Sequence, residues 1–203
     1  MKDIKILAKE FFLDRNVTDI AKDLLGKIIV SEFNGKITTA RIVETEAYDG
    51  NVDKACHAFP NKLTPRTAVM FKEGGRSYVY LCYGIHHLLN IVTHAEGDAR
   101  AVLIRAVEPI SGIDIMHERR KVKNNRDLTN GPGKLTKALG ITSEDNDVNL
   151  FNQESGLWIG YKEEGYDDFE IITTQRIGVD YAEEDALLPW RFYIKNNPYI
   201  SKK

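Results

Sequence analysis

Runs of apolar and β-branched residues, broken by glycine and asparagine, divide this chain into short strands and shorter helices. Lys27–Phe33 reads as a strand, Asn34-Gly35 as a type I′ hairpin turn and Lys36–Tyr48 as the return strand. Arg76–Tyr83 and His86–His94 are β-rich runs joined by a turn at Gly84, and Arg100–Val107 follows Glu96-Gly97-Asp98 as a third strand. Further strands fall at Leu157–Tyr161, Glu170–Thr174 and Trp190–Lys195. Helices are expected from an Asn16 cap through Leu25, with Gly26 as the stop, and as one or two turns over Asp53–Phe59. Others should run from Pro65 toward Phe71, from Ser111 to Lys123, and from Asn130-Gly131-Pro132 to Leu139. Hairpin-linked strands with interspersed helices predict an α+β fold, not a doubly wound parallel sheet. No repeat or composition break divides the 203 residues, so one domain over 1–203 is expected.

Composition narrows the class. Apolar residues at 42 % and charged residues at 29 % are ordinary globular usage, and a chain of this size buries a core without staples. Only Cys56 and Cys82 are present, and no window approaches the ~18 apolar residues of a membrane helix. Met1–Lys5 carries charges where a signal peptide needs an apolar run, so a soluble protein of a reducing, cytoplasmic compartment is expected. The net charge of −2 conceals a polarity. Residues 100–140 hold nine basic side chains against four acidic ones, whereas 141–190 hold thirteen carboxylates against Lys162 and Arg176. That distribution permits a polyanion partner on a basic face, and it equally suits a solvated helix followed by acidic loops.

Several familiar motifs are absent. Gly133-Lys134 lacks both the upstream glycine and the following hydroxyl of a phosphate loop, because Leu128 and Leu135 stand there. No Cys-x-x-Cys or His-Glu-x-x-His occurs, so no metal site is expected. Gly131–Thr136 echoes the hairpin of helix-hairpin-helix proteins, but the β-rich middle of the chain argues against that architecture.

The informative run is Arg41–Tyr48. On a strand, Glu44 and Glu46 share one face, about 6–7 Å apart, while Val43 and Thr45 point to the other. Two carboxylates on an apolar strand either face water or have partners that offset desolvation. In the second case they suit general acid/base work. Tyr78 and Tyr80 share a strand face, and Tyr83 precedes the turn glycine at a hairpin tip. A protruding aromatic of this kind can insert between base pairs. Asn90 and Arg105 add an amide and a cation on the next two strands.

These residues carry a resemblance. Glu44-Thr45-Glu46-Ala47-Tyr48, His57, Thr64-Pro65-Arg66, Tyr78-Val79-Tyr80, Tyr83-Gly84, Asn90, Leu103-Ile104-Arg105, Gly131-Pro132 with Lys134, and Arg176–Val179 together resemble the alkyladenine (3-methyladenine) DNA glycosylase family, in order and over nearly the whole chain. The length suits a compact bacterial-type member. The resemblance implies a curved antiparallel sheet surrounded by helices, with a DNA-inserting β-hairpin, and a cofactor-free enzyme. Such an enzyme flips alkylated or deaminated purines out of double-stranded DNA and hydrolyses the N-glycosidic bond, leaving an abasic site. By that resemblance Glu46 is the base that activates water, held with Arg105 and the Ile177 carbonyl. Tyr48, His57 and Tyr80 wall the base pocket, the tyrosines by stacking, and Asn90 selects against normal bases. Tyr83 fills the gap in the duplex, with Arg66, Leu103 and Lys134 as further DNA contacts. His86 departs from the tyrosine that members can carry there. A monomer, associated with the nucleoid through DNA, is implied. Two other readings fit the residues: an O-glycoside hydrolase using Glu44 and Glu46 as an acid/base pair, and a damaged-DNA binder without catalysis.

Overall fold

The computed structural model describes residues 3–13, 15–162 and 168–202. Met1, Lys2 and part of the acidic segment (163–167) lie outside them. Chain order begins β1 (Lys5–Ile6), α1 (Val17–Asp23), β2 (Ile28–Phe33), β3 (Lys36–Asp49), β4 (Ser77–Cys82), β5 (His86–Thr93) and β6 (Arg100–Ser111). It continues with α2 (Ile113–Arg120), α3 (Pro132–Leu139), β7 (Leu157–Tyr161), β8 (Ile171–Thr174) and β9 (Arg191–Ile194). Among the described residues, these nine strands form one open sheet, seven in the order β1-β7-β2-β3-β6-β5-β4 with β9 branching from β3 and β8 pairing β9, every pairing antiparallel. The expected α+β class is the class observed.

β3 is the spine. It pairs with β6 along most of its length, with β2 on its first half, and with β9 at Glu44–Glu46 where β2 has turned away. Both long strands are buried almost end to end, as strands covered on both faces must be. One cover is helical: Ile20, Ala21 and Leu24 of the α1 segment and Leu135, Ala138 and Leu139 of α3 join Ile42, Val43, Ala47, Ile104 and Val107 in the main core. A smaller cluster, with Cys56, Met70, Tyr78 and Ala101, underlies the site. Register shifts on either side of Glu44 place Val43 as an extra residue on β3 and Arg105 as an extra residue on β6. Such bulges bend a strand and re-aim its side chains.

The Asn34-Gly35 turn has both residues at positive φ, as a type I′ turn requires. Other expectations are corrected. Asp53–Phe59 is a chain of turns and not a helix: its backbone N–H groups bond three residues back, Cys56 to Asp53 and Phe59 to Cys56, while the Asp53 carboxylate is committed to Arg176. Pro65–Phe71 yields only a 3-10 turn at Ala68–Phe71. β6 runs past Val107 to Ser111, and α2 begins after Gly112, where a Cβ would lie 2.6 Å from the Ile37 carbonyl. The same helix stops at Arg120, short of Lys123, with Lys121 in the left-handed conformation.

Candidate active site

Sheet register assembles the site. Arg191, Glu46, Leu103, Asn90 and Tyr78 lie opposite one another on β9, β3, β6, β5 and β4 in a single row. Because side chains two apart share a face, Tyr48, Arg105, Leu88 and Tyr80 flank that row on the same side. Above this face opens a cavity of about 230 Å³, lined among others by Tyr48, His57, Tyr78, Tyr80, Asn90, Leu103, Arg105 and Ile177.

The two carboxylates do face one way, and neither is solvated: both are fully buried. Glu46 Oε2 accepts from the Tyr48 hydroxyl at 2.7 Å and from Arg105 Nη1 at 3.1 Å, while its Oε1 accepts from the Ile177 N–H at 2.8 Å. All three donors line the cavity. Burial pulls the Arg105 guanidinium down, and the charges of Glu46 and Glu44 more than offset this and leave it above its usual value. Glu44 is tied elsewhere, to Arg105, Arg191 and Ser201, and is not among the cavity-lining side chains. Neither carboxylate itself lines the cavity, but all three donors to Glu46 do, whereas Arg191 and Ser201 on Glu44 do not. That sets Glu44 apart from the place that an O-glycoside hydrolase's acid/base pair would need.

The aromatic wall is built from His57, Tyr78 and Tyr80. His57 meets Tyr80 edge-on at 4.7 Å between ring centres. Arg66 can only donate, so His57 Nε2 accepts its N–H at 3.2 Å, and His57 Nδ1 carries the proton toward the Tyr78 hydroxyl at 3.1 Å. Desolvation by the surrounding protein, then the Arg66 charge, push this imidazole down to about 4. Asn90 donates its amide to the Tyr78 carbonyl at 3.1 Å. Two pocket tyrosines already carry a guanidinium on their rings: Arg66 over Tyr80 at 5.0 Å and Arg176 over Tyr48 at 4.8 Å.

At the cavity mouth the β4–β5 hairpin ends in Tyr83-Gly84, both at positive φ. Tyr83 is 92 % exposed and lines the cavity, with Leu81 and Ile85 exposed on either side of it in sequence. The hairpin is braced from behind, since a Cβ on Gly133 of α3 would sit 2.9 Å from His86. Arg66 is exposed beside His57, and Lys134 donates to Asn130 at 2.8 Å. Leu103, expected among the duplex contacts, is buried in the cavity wall. The basic stretch is not one continuous face. Arg100 pairs with Asp49 and Asp98, Arg105 is buried in the site, and Arg119 and Arg120 donate to the carbonyls of Ala138, Leu128 and Asp127. Those four cations serve the fold.

Sequence reasoning did not single out Tyr181 as a cavity residue, or the Asp53–Arg176 pair. Arg176 binds Asp53 through both terminal nitrogens, at 2.5 and 2.8 Å, with both side chains wholly buried. It also donates to the Ala47 carbonyl at 2.9 Å, tying the loop that presents Ile177 to β3. The only signal for this was an isolated Arg in an acidic segment. Among the described residues, no group of three His, Cys, Asp or Glu could hold a metal ion, and no helix is long and apolar enough to cross a membrane.

A carboxylate held by three donors beneath an aromatic slot equips a hydrolase for one flat ring, and the class of this chain is that of the DNA glycosylases, hydrolases of N-glycosyl bonds. Within it, the chain belongs to the methylpurine-DNA glycosylase (MPG) family, whose sequence model matches residues 11–198. It is 50 % identical over 200 residues to a protein of Alkaliphilus oremlandii (strain OhILAs), covering 95 % of this chain and 97 % of the relative. It is 47 % identical over 206 residues to one of Clostridium botulinum (strain Alaska E43 / Type E3), covering 98 % and 100 %. Both relatives bear the name "Putative 3-methyladenine DNA glycosylase".

Proposed function

We propose that this chain excises damaged purines, alkylated or deaminated, from double-stranded DNA by a water that Glu46 activates. The water's oxygen bonds to the sugar's anomeric carbon, its proton passes to Glu46, and the base departs with the electron pair of the broken C–N bond. An abasic site remains. The observation that carries this reading is the Glu46 carboxylate, buried and fixed by Tyr48, Arg105 and the Ile177 N–H, three donors that line the cavity. A protein that only bound damage would gain nothing from a desolvated carboxylate aimed at a polyanion's sugar. Arg105 and Ile177 flank the position of the water.

The flipped base stacks against Tyr48 on one side and His57 and Tyr80 on the other. A methylated purine is cationic, so it gains cation–π attraction there and leaves readily once attacked. The Asn90 amide, fixed by the Tyr78 carbonyl, opposes the exocyclic amino groups of normal bases. Leu103 packs against the flipped nucleotide. Tyr83 occupies the vacated place in the stack, and Arg66 and Lys134 meet phosphates, because unstacking a base costs a few kcal/mol that inserted side chains and backbone contacts offset. The enzyme acts as a monomer on chromosomal DNA in the bacterial cytoplasm.

Glu46→Gln tests the reading through free base released from methylated duplex DNA. It should lower single-turnover release at least about 100-fold while lesion binding persists. Unchanged release would sink the general-base assignment.

A further inference from the structure

We infer that Glu44 is a positioning residue for this reaction: it sets how strongly Arg105 engages Glu46, and Arg191 and Ser201 hold it in that role. The inference rests on Glu46 being the base. Arg105 is shared between two carboxylates through different nitrogens, Nε to Glu44 at 3.3 Å and Nη1 to Glu46 at 3.1 Å. A guanidinium is a rigid planar fork, so anchoring one nitrogen fixes the direction of the other.

Glu44 is itself anchored on both oxygens. Its Oε1 accepts from Arg191 Nε at 2.7 Å and Ser201 Oγ at 2.8 Å, and its Oε2 accepts from the Ser201 N–H at 2.6 Å. Arg191 in turn donates to the Lys202 carbonyl, which ties the 201–202 segment to the same cluster. The β-bulge at Val43 and Arg105 is what brings both carboxylates onto one guanidinium.

Charge explains why the second carboxylate matters. Glu46 faces Arg105 from β6, Arg191 opposite it on β9, Arg176 from the loop before Ile177, and Tyr48 and Glu44 from its own strand. Glu44 and Glu46 offset Arg105 and Arg191 as a set of two and two, the condition under which buried charges are tolerated. Without the Glu44 charge, and with Arg176 already paired with Asp53, Glu46 alone answers Arg105 and Arg191. Its carboxylate is then held harder and takes a proton from water less readily.

The experiment is single-turnover release of 7-methylguanine from duplex DNA across pH, with lesion affinity and thermal unfolding measured on the same proteins. Glu44→Gln should retain lesion binding. The midpoint of its acid limb should move to lower pH, and its plateau should fall by about tenfold. Ser201→Ala keeps every charge and should lower the plateau about threefold to tenfold, the scale of one lost side-chain hydrogen bond, with unchanged affinity. A Glu44→Gln protein that melts earlier yet keeps the wild-type midpoint and plateau would make Glu44 purely structural and overturn the inference. If that variant does not fold, a wild-type plateau in Ser201→Ala overturns it instead. Glu46→Gln run in parallel separates the cases, since wild-type release there rejects the base itself and not the role of Glu44.

Discussion

The Tyr48 hydroxyl donates to the Glu46 carboxylate across 2.7 Å, so a ring that walls the cavity also touches the proposed base. Burial first, and then the Glu46 charge, push the Tyr48 phenol well above its usual value, which keeps it a donor throughout the working range. Besides the stacking expected of it, the residue thus offers the proposed base a hydrogen bond. Tyr48→Phe keeps the ring and removes a donor that favours the charged carboxylate. The acid limb of the pH–rate profile should move to higher pH while the plateau stays near wild type, and Tyr48→Leu should lower the plateau as well. Identical profiles for Phe and wild type would leave the ring as the only contribution.

His57 should titrate near 4, far below its ordinary 6.5, when followed by the ring resonances in an NMR pH series. The folded value lies below the unfolded one, so protonation favours the unfolded chain. The stability His57 contributes is complete above about 6.5 and is lost as pH falls toward 4. Arg66→Gln removes the charged neighbour and leaves the desolvation, so the midpoint should rise only part of the way. A midpoint unmoved by Arg66→Gln would show that the guanidinium has no electrostatic hold on the ring.

Tyr83 has almost no packing to lose, at 92 % exposure on a hairpin tip. Tyr83→Ala should leave thermal stability unchanged within about 0.5 kcal/mol, as surface changes do. Excision from a fully paired duplex should slow severalfold, and excision from a bulged or single-stranded lesion should be spared. Equal slowing on both substrates would remove the tyrosine from the duplex.

Asp53→Asn leaves the Arg176 guanidinium buried with its partner's charge gone. Breaking such a pair costs about 3–5 kcal/mol, to be read from urea unfolding. The same change loosens the loop carrying the Ile177 N–H, so activity at temperatures well below unfolding should fall too. Full activity in a destabilised Asp53→Asn protein would confine the pair to stability.

The sequence by itself determined what is local. The Asn34-Gly35 turn follows from two residues that tolerate positive φ, and the facing of Glu44 with Glu46 follows from the period of two along β3. Local reading failed at Asp53–Phe59, where turns stand in place of the expected helix and a distant partner, Arg176, holds the Asp53 carboxylate. The basic stretch looked like one surface in sequence, and the structure turned Arg119 and Arg120 inward onto carbonyls.

Only the tertiary structure decided which groups meet at the carboxylates. The row from Arg191 through Glu46, Leu103 and Asn90 to Tyr78 exists because five strands pair in one register. A slip of one residue in any of them would turn its side chain to the opposite face. The Ile177 N–H on Glu46 and Ser201 on Glu44 come from segments 131 and 157 residues away. A backbone amide carries no residue identity for a motif to display, and the pairing of buried charges depends on which strands enclose them. Glu44 and Glu46 are therefore alike in sequence and unlike in place: Arg191 and Ser201, away from the cavity lining, hold one, while three donors that line the cavity hold the other.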